Sequence, residues 1–198
     1  MQLDDERWTD TITEQDDAMD QAQEAVRTLL RFIGEDPDRD GLRDTPRRVV
    51  KAMREMTWGL GMDPSTVLAT SFESGHDQMI LVDGIRFVSL CEHHLLPFVG
   101  TARVAYIPDN GQILGLSKVA RLVGLLAARP QVQERLTDEI AEVLAKTVPN
   151  IGVAVKLTAS HACAAVRGVN QPGMAMVTTR LRGVFFNNPE TRAEFLSR

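Results

Sequence analysis

The sequence is poor in cysteine, with two among 198 residues. It also lacks any surplus of positive charge: 22 Lys and Arg stand against 27 Asp and Glu, a net charge of -5. That balance leaves no basic footprint for nonspecific nucleic-acid binding, so an anionic ligand has to be met by a local cluster of cations. No apolar run approaches the ~20 residues that cross a bilayer, and the acidic opening Met1 to Glu6 does not have the form of a secretory signal. The expected location is therefore the cytoplasm, where a disulfide between the two cysteines is disfavoured. There is no internal repeat or low-complexity segment, and without a Gly-rich Walker loop a nucleotide is not held in P-loop fashion. What remains, 43% hydrophobic and 25% charged residues, describes a soluble globule of one domain with a separable appendage.

Ala18, Ala22, Ala25, Val26, Leu29, Leu30 and Ile33 recur at helical spacing and stop at Gly34. A charged connection follows, and Thr45-Pro46 opens a second helix running to about Gly59. These two helices read as an N-terminal extension over residues 1–61, with the main domain over 62–198. The wide apolar stripes predict packing on each other or on a neighbouring subunit. After Gly61 the pattern turns to strands. Met79–Val82 and Ile85–Leu90 flank Asp83-Gly84 and predict a hairpin, and Thr101–Ile107 predicts a further strand. Ser117 is expected to cap a helix that breaks at Arg129-Pro130, and Val132–Thr147 reads as the next helix. Gly152–Ala159 and Val177–Phe186 are strand-like, and Asn188-Pro189 opens a short terminal helix. Grouped strands and grouped helices favour an α+β fold with antiparallel pairing over alternating βαβ units.

The two cysteines and three of the four histidines fall into two short stretches, Cys91-Glu92-His93-His94 and His161-Ala162-Cys163. Cys-x-x-His places a thiolate and an imidazole within reach of one ion, and a later cysteine can close a third contact. Cys91, His94 and Cys163 thus read as ligands, three of them, the number that leaves a coordination position for water in catalytic zinc sites. The alternative is two buried thiols with histidines nearby by chance. His93 and His161 fall beside the ligands as proton-handling candidates. Strand periodicity places His161 on the same face as Cys163.

Ser117-Lys118-x-x-Arg121 lies at a helix start, where free N–H groups favour an anion, and Arg167 can approach the same place; three cations suit a polyphosphate. Each can equally be a solvated surface group. Glu134, at the start of the next helix, either accepts paired hydrogen bonds from a guanine edge or stabilises the helix terminus.

Cys91-Glu92-His93-His94, Gly115-Leu116-Ser117-Lys118, Arg129-Pro130-Gln131-Val132-Gln133-Glu134-Arg135-Leu136, and His161-x-Cys163 with Arg167-Gly168 together resemble GTP cyclohydrolase I, in order, from about Asp40 onward. The resemblance implies conversion of GTP and water to 7,8-dihydroneopterin triphosphate and formate, the first step of folate and pterin biosynthesis. It implies zinc on Cys91, His94 and Cys163, activating a water that attacks C8 of guanine. It makes His93 and His161 proton-handling residues and places Ser117 near the ribose. Lys118, Arg121 and Arg167 become a triphosphate clamp, and Gln133 with Glu134 the guanine reader. The implied fold is the tunnelling fold, in which subunits pool antiparallel strands into a barrel, here as a homodecamer. Gly173-Met174-Ala175-Met176-Val177 departs from the polar and basic run usual there, which implies weaker phosphate binding. A catalytically weak paralogue serving as a nucleotide-binding or regulatory subunit is the alternative that keeps the same motifs.

Overall fold

The computed structural model describes residues 12–197. The chain divides into two compact units, Met1–Glu55 and Met56–Arg198. The first holds helix α1 (Ile12–Phe32) and most of helix α2 (Thr45–Met56). Gly34, at φ +88°, closes α1, with the Glu35 N–H returning to Leu30 O at 2.9 Å. This is the left-handed stop that glycine supplies without a Cβ penalty. The charged connection is ordered by its own ion pairs, Arg27 with Asp38 at 2.5 Å and Arg39 with Glu35 at 2.8 Å.

The second unit is built on a five-stranded sheet. Its strands are β2 (Ile80–Cys91), β3 (Pro97–Pro108), β5 (Pro130–Gln131), β6 (Asn150–His161) and β7 (Met176–Gly183), in the order β5-β2-β3-β6-β7. All neighbours pair antiparallel except the short β5, which runs parallel to the end of β2. A separate ribbon joins β1 (Ser71–Glu73) to β4 (Gln112–Leu114). Helices α3 (Leu116–Ala127) and α4 (Gln133–Thr147) supply Leu122, Leu126, Leu136, Ile140 and Leu144 to the main core. They meet alternate residues of the strands there, among them Phe98, Val104 and Tyr106 of β3 and Val155 and Leu157 of β6. The side chains of intervening parity, Ala105 and Ala154, form a second small core with Phe185 and Phe195. These come from helices α6 (Val184–Asn187) and α7 (Pro189–Leu196). Because strand side chains alternate, one sheet carries a core on each face, the large one under α3 and α4 and the small one at one end of the opposite face. The expected α+β class with antiparallel pairing is what the chain forms.

Besides the last strand, which ends at Gly183 and leaves Val184–Phe186 to helix α6, two local expectations change in this unit. Asp83-Gly84 does not turn a hairpin: β2 runs through it, with Val82 opposite Val104 and Ile85 opposite Ala102. Two residues therefore face the single Arg103, a β-bulge, and Gly84 takes φ +70° to accommodate it. Hairpin and bulge demand the same positive φ, so the dipeptide alone does not tell them apart. Asp83 accepts from Arg103 Nη2 at 2.6 Å and Nε at 3.0 Å and from its neighbour Gly84 N–H at 2.8 Å. The guanidinium also donates to Phe195 O at 3.2 Å, tying the bulge to α7. The second change is at α3, whose cap position is Gly115, so Ser117 lies inside the first turn and caps nothing.

The Arg103 contact, helped by the Gly84 N–H, holds the Asp83 carboxyl below its ordinary pKa. A depressed carboxyl pKa stabilises the fold above the unfolded value and loses that contribution as pH falls through the folded one. Asp83→Asn should therefore cost no more than about 1 kcal/mol at neutral pH, since a half-exposed pair is screened. The gap from wild type, read as thermal midpoints, should close as pH drops below about 4. A gap independent of pH would show that the carboxylate charge is not what matters at the bulge.

Candidate metal centre

β2 delivers Cys91 at its last residue, and the chain then folds back on itself. Leu95 N–H and His94 N–H both donate to Cys91 O, at 2.8 and 3.2 Å, while Cys91 N–H donates to Leu96 O at 2.8 Å. Leu95 takes φ +53° within this tight turn. The turn returns the His94 ring over the cysteine, with Nδ1 3.8 Å from Cys91 Sγ. From the other side, β6 ends at His161, and the four-residue helix α5 (Ala162–Ala165) carries Cys163. One ligand atom from each of Cys91, His94 and Cys163 lies within 4.8 Å of the others. Zinc–sulfur and zinc–nitrogen bonds of about 2.3 and 2.0 Å at a tetrahedral angle put S and N about 3.5 Å apart, close to the spacing found, and thiolate with imidazole is a zinc donor set. The residues present fit that ion. Burial, and then the neighbouring Cys91 thiol, hold the Cys163 thiol above its ordinary pKa. A dication between the sulfurs removes that penalty by pairing with both thiolates.

His161 and Cys163 do not share a strand face. Because β6 stops at His161, the two-residue alternation ends before Cys163. His161 looks instead toward α4 and β3: its Nε2 lies 2.8 Å from Gln133 Oε1, and its ring stacks on Phe98 at 4.6 Å between centroids and 3° between planes. Phe98 is the residue paired with His161 across β3 and β6. Burial lowers the His161 pKa, opposed by the carboxylate of Glu134, which stands exposed on the first turn of α4. Gln133 is buried, unlike its neighbour.

His93 points outward beside the cluster, its ring 6.4 Å from that of His94 and its Nε2 4.0 Å from Glu92 Oε1. Arg167 reaches the cluster, with Nη1 3.3 Å from His94 Nε2 and 3.3 Å from Cys163 O. Ser117, Lys118 and Arg121 lie on the first two turns of α3, and no hydrogen bond or ion pair described here joins them to the cluster. Of the expected clamp, Arg167 is the member that has a hydrogen bond to the candidate ligands among the described residues.

Sequence reading overlooked the residues that hold the Cys91–His94 turn in place. Glu92 pairs with Arg135, whose Nε donates to Gln131 Oε1 at 2.8 Å. Gln131 Nε2 donates in turn to Glu139 Oε2 at 2.8 Å and to Leu126 O at 3.3 Å, and Glu92 N–H donates to Gln131 O at 3.0 Å. The Arg135 guanidinium holds the Glu92 carboxyl below its ordinary pKa. Glu92 and Arg135 both sit inside the motifs quoted above, but as charges in a helix and a turn they read equally well as solvated groups.

Residues 22–198 match the family described as GTP cyclohydrolase I. GTP cyclohydrolase 1 of Mycolicibacterium paratuberculosis is 53% identical over 190 residues, 94% of this chain and 93% of the relative. The enzyme of the same name from Mycobacterium tuberculosis is 54% identical over 176 residues, 88% and 87% of the two chains. That of Desulforamulus reducens is 49% identical over 175 residues, 88% and 94%. Among solved structures, an archaeosine synthase QueF-like protein aligns at a TM-score of 0.44 and 18% identity, over 53% of this chain and 93% of the other. Dihydroneopterin aldolase of E. coli aligns at 0.42 and 16%, over 54% and 99%. Those two likenesses are too weak to add to the sequence matches. With its candidate ligand triad converging on one point and its sequence matched over nearly its whole length, the chain belongs to the GTP cyclohydrolase I family.

Proposed function

We propose that this enzyme opens the guanine of GTP at a zinc ion held by Cys91, His94 and Cys163, releasing formate and 7,8-dihydroneopterin triphosphate. The observation that carries the reading is the convergence of these three side chains from two strand ends far apart in sequence. Zinc in such a site acts as a Lewis acid and lowers the pKa of water toward about 7. His93, exposed beside the ligands, and His161, held against Phe98, are the groups that accept and return protons at the base and the ribose. Glu134 accepts from the guanine N1–H and 2-amino group, which rejects adenine because a buried acceptor would be left unpaired. Arg167, Lys118 and Arg121 bind the triphosphate, and Ser117 lies near the ribose. The protein acts in the cytoplasm; among the described residues no helix is long and apolar enough to cross a membrane.

The working form is a homo-oligomer, most simply the family's decamer. Leu116, Val166 and Val169 are 71%, 70% and 67% exposed in the single chain, and Leu95, Met174 and Val177 are also exposed. Exposed apolar side chains around a polar site support cover by a second subunit, and a neighbour's contribution would complete a clamp of which one chain brings a single arginine to the cluster.

Purified protein given GTP should produce formate and the ultraviolet-absorbing pterin; no product from zinc-loaded protein would refute the reaction. Cys91→Ser, His94→Ala and Cys163→Ser should each lose both zinc and turnover, whereas His93→Ala and His161→Ala should keep zinc by elemental analysis and lose turnover. Arg135→Ala, which frees Glu92 and the ligand turn, should weaken zinc binding about 10-fold or more in chelator competition, and an unchanged affinity would mean that the turn holds itself. Light scattering should find one large oligomer, and a stable, active monomer would rule out a shared site.

A further inference from the structure

Gln133 opens α4, yet its side chain is 1% exposed and every hydrogen bond of its amide has a determinable direction. Nε2 lies 3.0 Å from Met176 O, 3.3 Å from Leu157 O and 3.1 Å from Thr178 Oγ1. Two of these are backbone carbonyls, which only accept, so the NH2 end of the amide has to face them. The threonines close the circuit. Thr137 Oγ1 donates its single proton to Gln133 O at 2.7 Å. In its 2.6 Å contact with Thr178 Oγ1 it can therefore only accept, which commits the Thr178 proton to Thr137 and leaves the Thr178 oxygen to accept from Gln133 Nε2. Gln133 Oε1, an acceptor only, is thus the atom 2.8 Å from His161 Nε2, and that ring nitrogen has to carry hydrogen. Phe98, parallel to the ring, opposes its rotation.

We propose that Gln133 is a positioning residue for His161: with Thr137 and Thr178 it holds its amide so that Oε1 accepts from Nε2–H, which fixes the ring's orientation and tautomer and leaves Nδ1 outside this circuit. Its amide is spent inside the protein, so recognition of the base falls to Glu134 and not to the Gln133 side chain. Fixing the tautomer of a proton-transferring histidine through the bond made by its other nitrogen is a recurrent device, and losing the wrong-way alternative is where the rate gain lies. Met176 gives the circuit one of the two backbone carbonyls that face Nε2, so the apolar run at Met174–Val177 contributes here through its main chain, whatever its side chains do. The kinetic part of this inference rests on the role proposed for His161; the tautomer does not.

The test has two arms. In protein labelled with 15N-histidine, solid-state spectra recorded where the ring is neutral, with His161 identified by the loss of its signals in His161→Gln, should show a protonated Nε2 and an unprotonated Nδ1. Thr178→Val, close in shape, and Gln133→Leu should populate the other tautomer. A protonated Nδ1 with bare Nε2 in the wild type overturns the proposal. In steady-state kinetics Gln133→Leu should lower kcat about 100-fold and Thr178→Val about 10-fold with zinc retained, while KM for GTP changes by less than about threefold. A large rise in KM at preserved kcat would return Gln133 to the base-reading surface and overturn the positioning role, and unchanged kcat in both variants would overturn it as well. Thr178→Val supplies the answer if Gln133→Leu fails to fold, and the spectrum reads the ring without turnover. Wild-type protein inactive on GTP but showing the expected spectrum would sink the proposed reaction and leave the ring assignment standing.

Discussion

The pairing of β3 with β6 is the constraint on which the rest of the site depends. Its register runs unbroken from Phe98 opposite His161 to Ile107 opposite Gly152. Since side chains alternate across a sheet, a slip of one residue would send Phe98 and His161 to the wrong face and move the entry to α5 with them. The register is secured by what it buries: Val104, Tyr106, Val153, Val155 and Leu157 are all within the main core. Gly100 marks how close the two strands lie near the site, since a Cβ there would meet Thr158 O at 2.2 Å and Ala159 Cβ at 2.6 Å. Packing of the core thus decides, at a distance, where Cys163 meets Cys91.

The first turn of α4 does much of the remaining positioning, and it does so with polar groups. Gln133 turns inward to His161, Glu134 faces out, and Arg135 reaches back to Glu92 beside the candidate metal ligands. Three consecutive residues on a helix diverge by about 100° each, so one turn can serve a candidate proton-handling group, a candidate substrate contact and the turn that carries two candidate ligands at once. The two networks differ in exposure. The Gln133 circuit is buried at Gln133 and Thr137 and half-buried at Thr178 and His161, and its groups are hydrogen-bonded, which makes it rigid and costly to break. The Glu92–Arg135 pair is partly open to solvent, where charge attraction is screened, so its value lies in geometry more than in stability.

The bulge at Asp83-Gly84 and the early end of β6 are both places where a local pattern had two physical solutions. Asp-Gly supplies a positive φ, which a two-residue hairpin and a bulge both require; the partner strand settles it by pairing on both sides of the dipeptide. His161-Ala162-Cys163 looks like the end of a strand until α5 is seen, and then the two reactive side chains separate into different surroundings. One became a ligand candidate and the other a half-buried ring on Phe98.

From the sequence alone came the α+β class, most helix and strand positions, and the three residues that the fold brings together as candidate ligands. These rest on local quantities: apolar periodicity, Gly and Pro at element ends, and the clustering of two cysteines and three histidines in two short stretches. Gln133 was visible only as a member of a motif, and the guanine-reading role that resemblance implied for it said nothing of the direction its amide takes. That direction depends on Leu157, Met176, Thr178 and Thr137, which approach it from β6, β7 and α4. The partners of Glu92, Asp83 and His161 were equally beyond reach, because a side chain's partner across strands is set by register and core packing. Those are properties of the folded chain as a whole, and no spacing along the sequence encodes them.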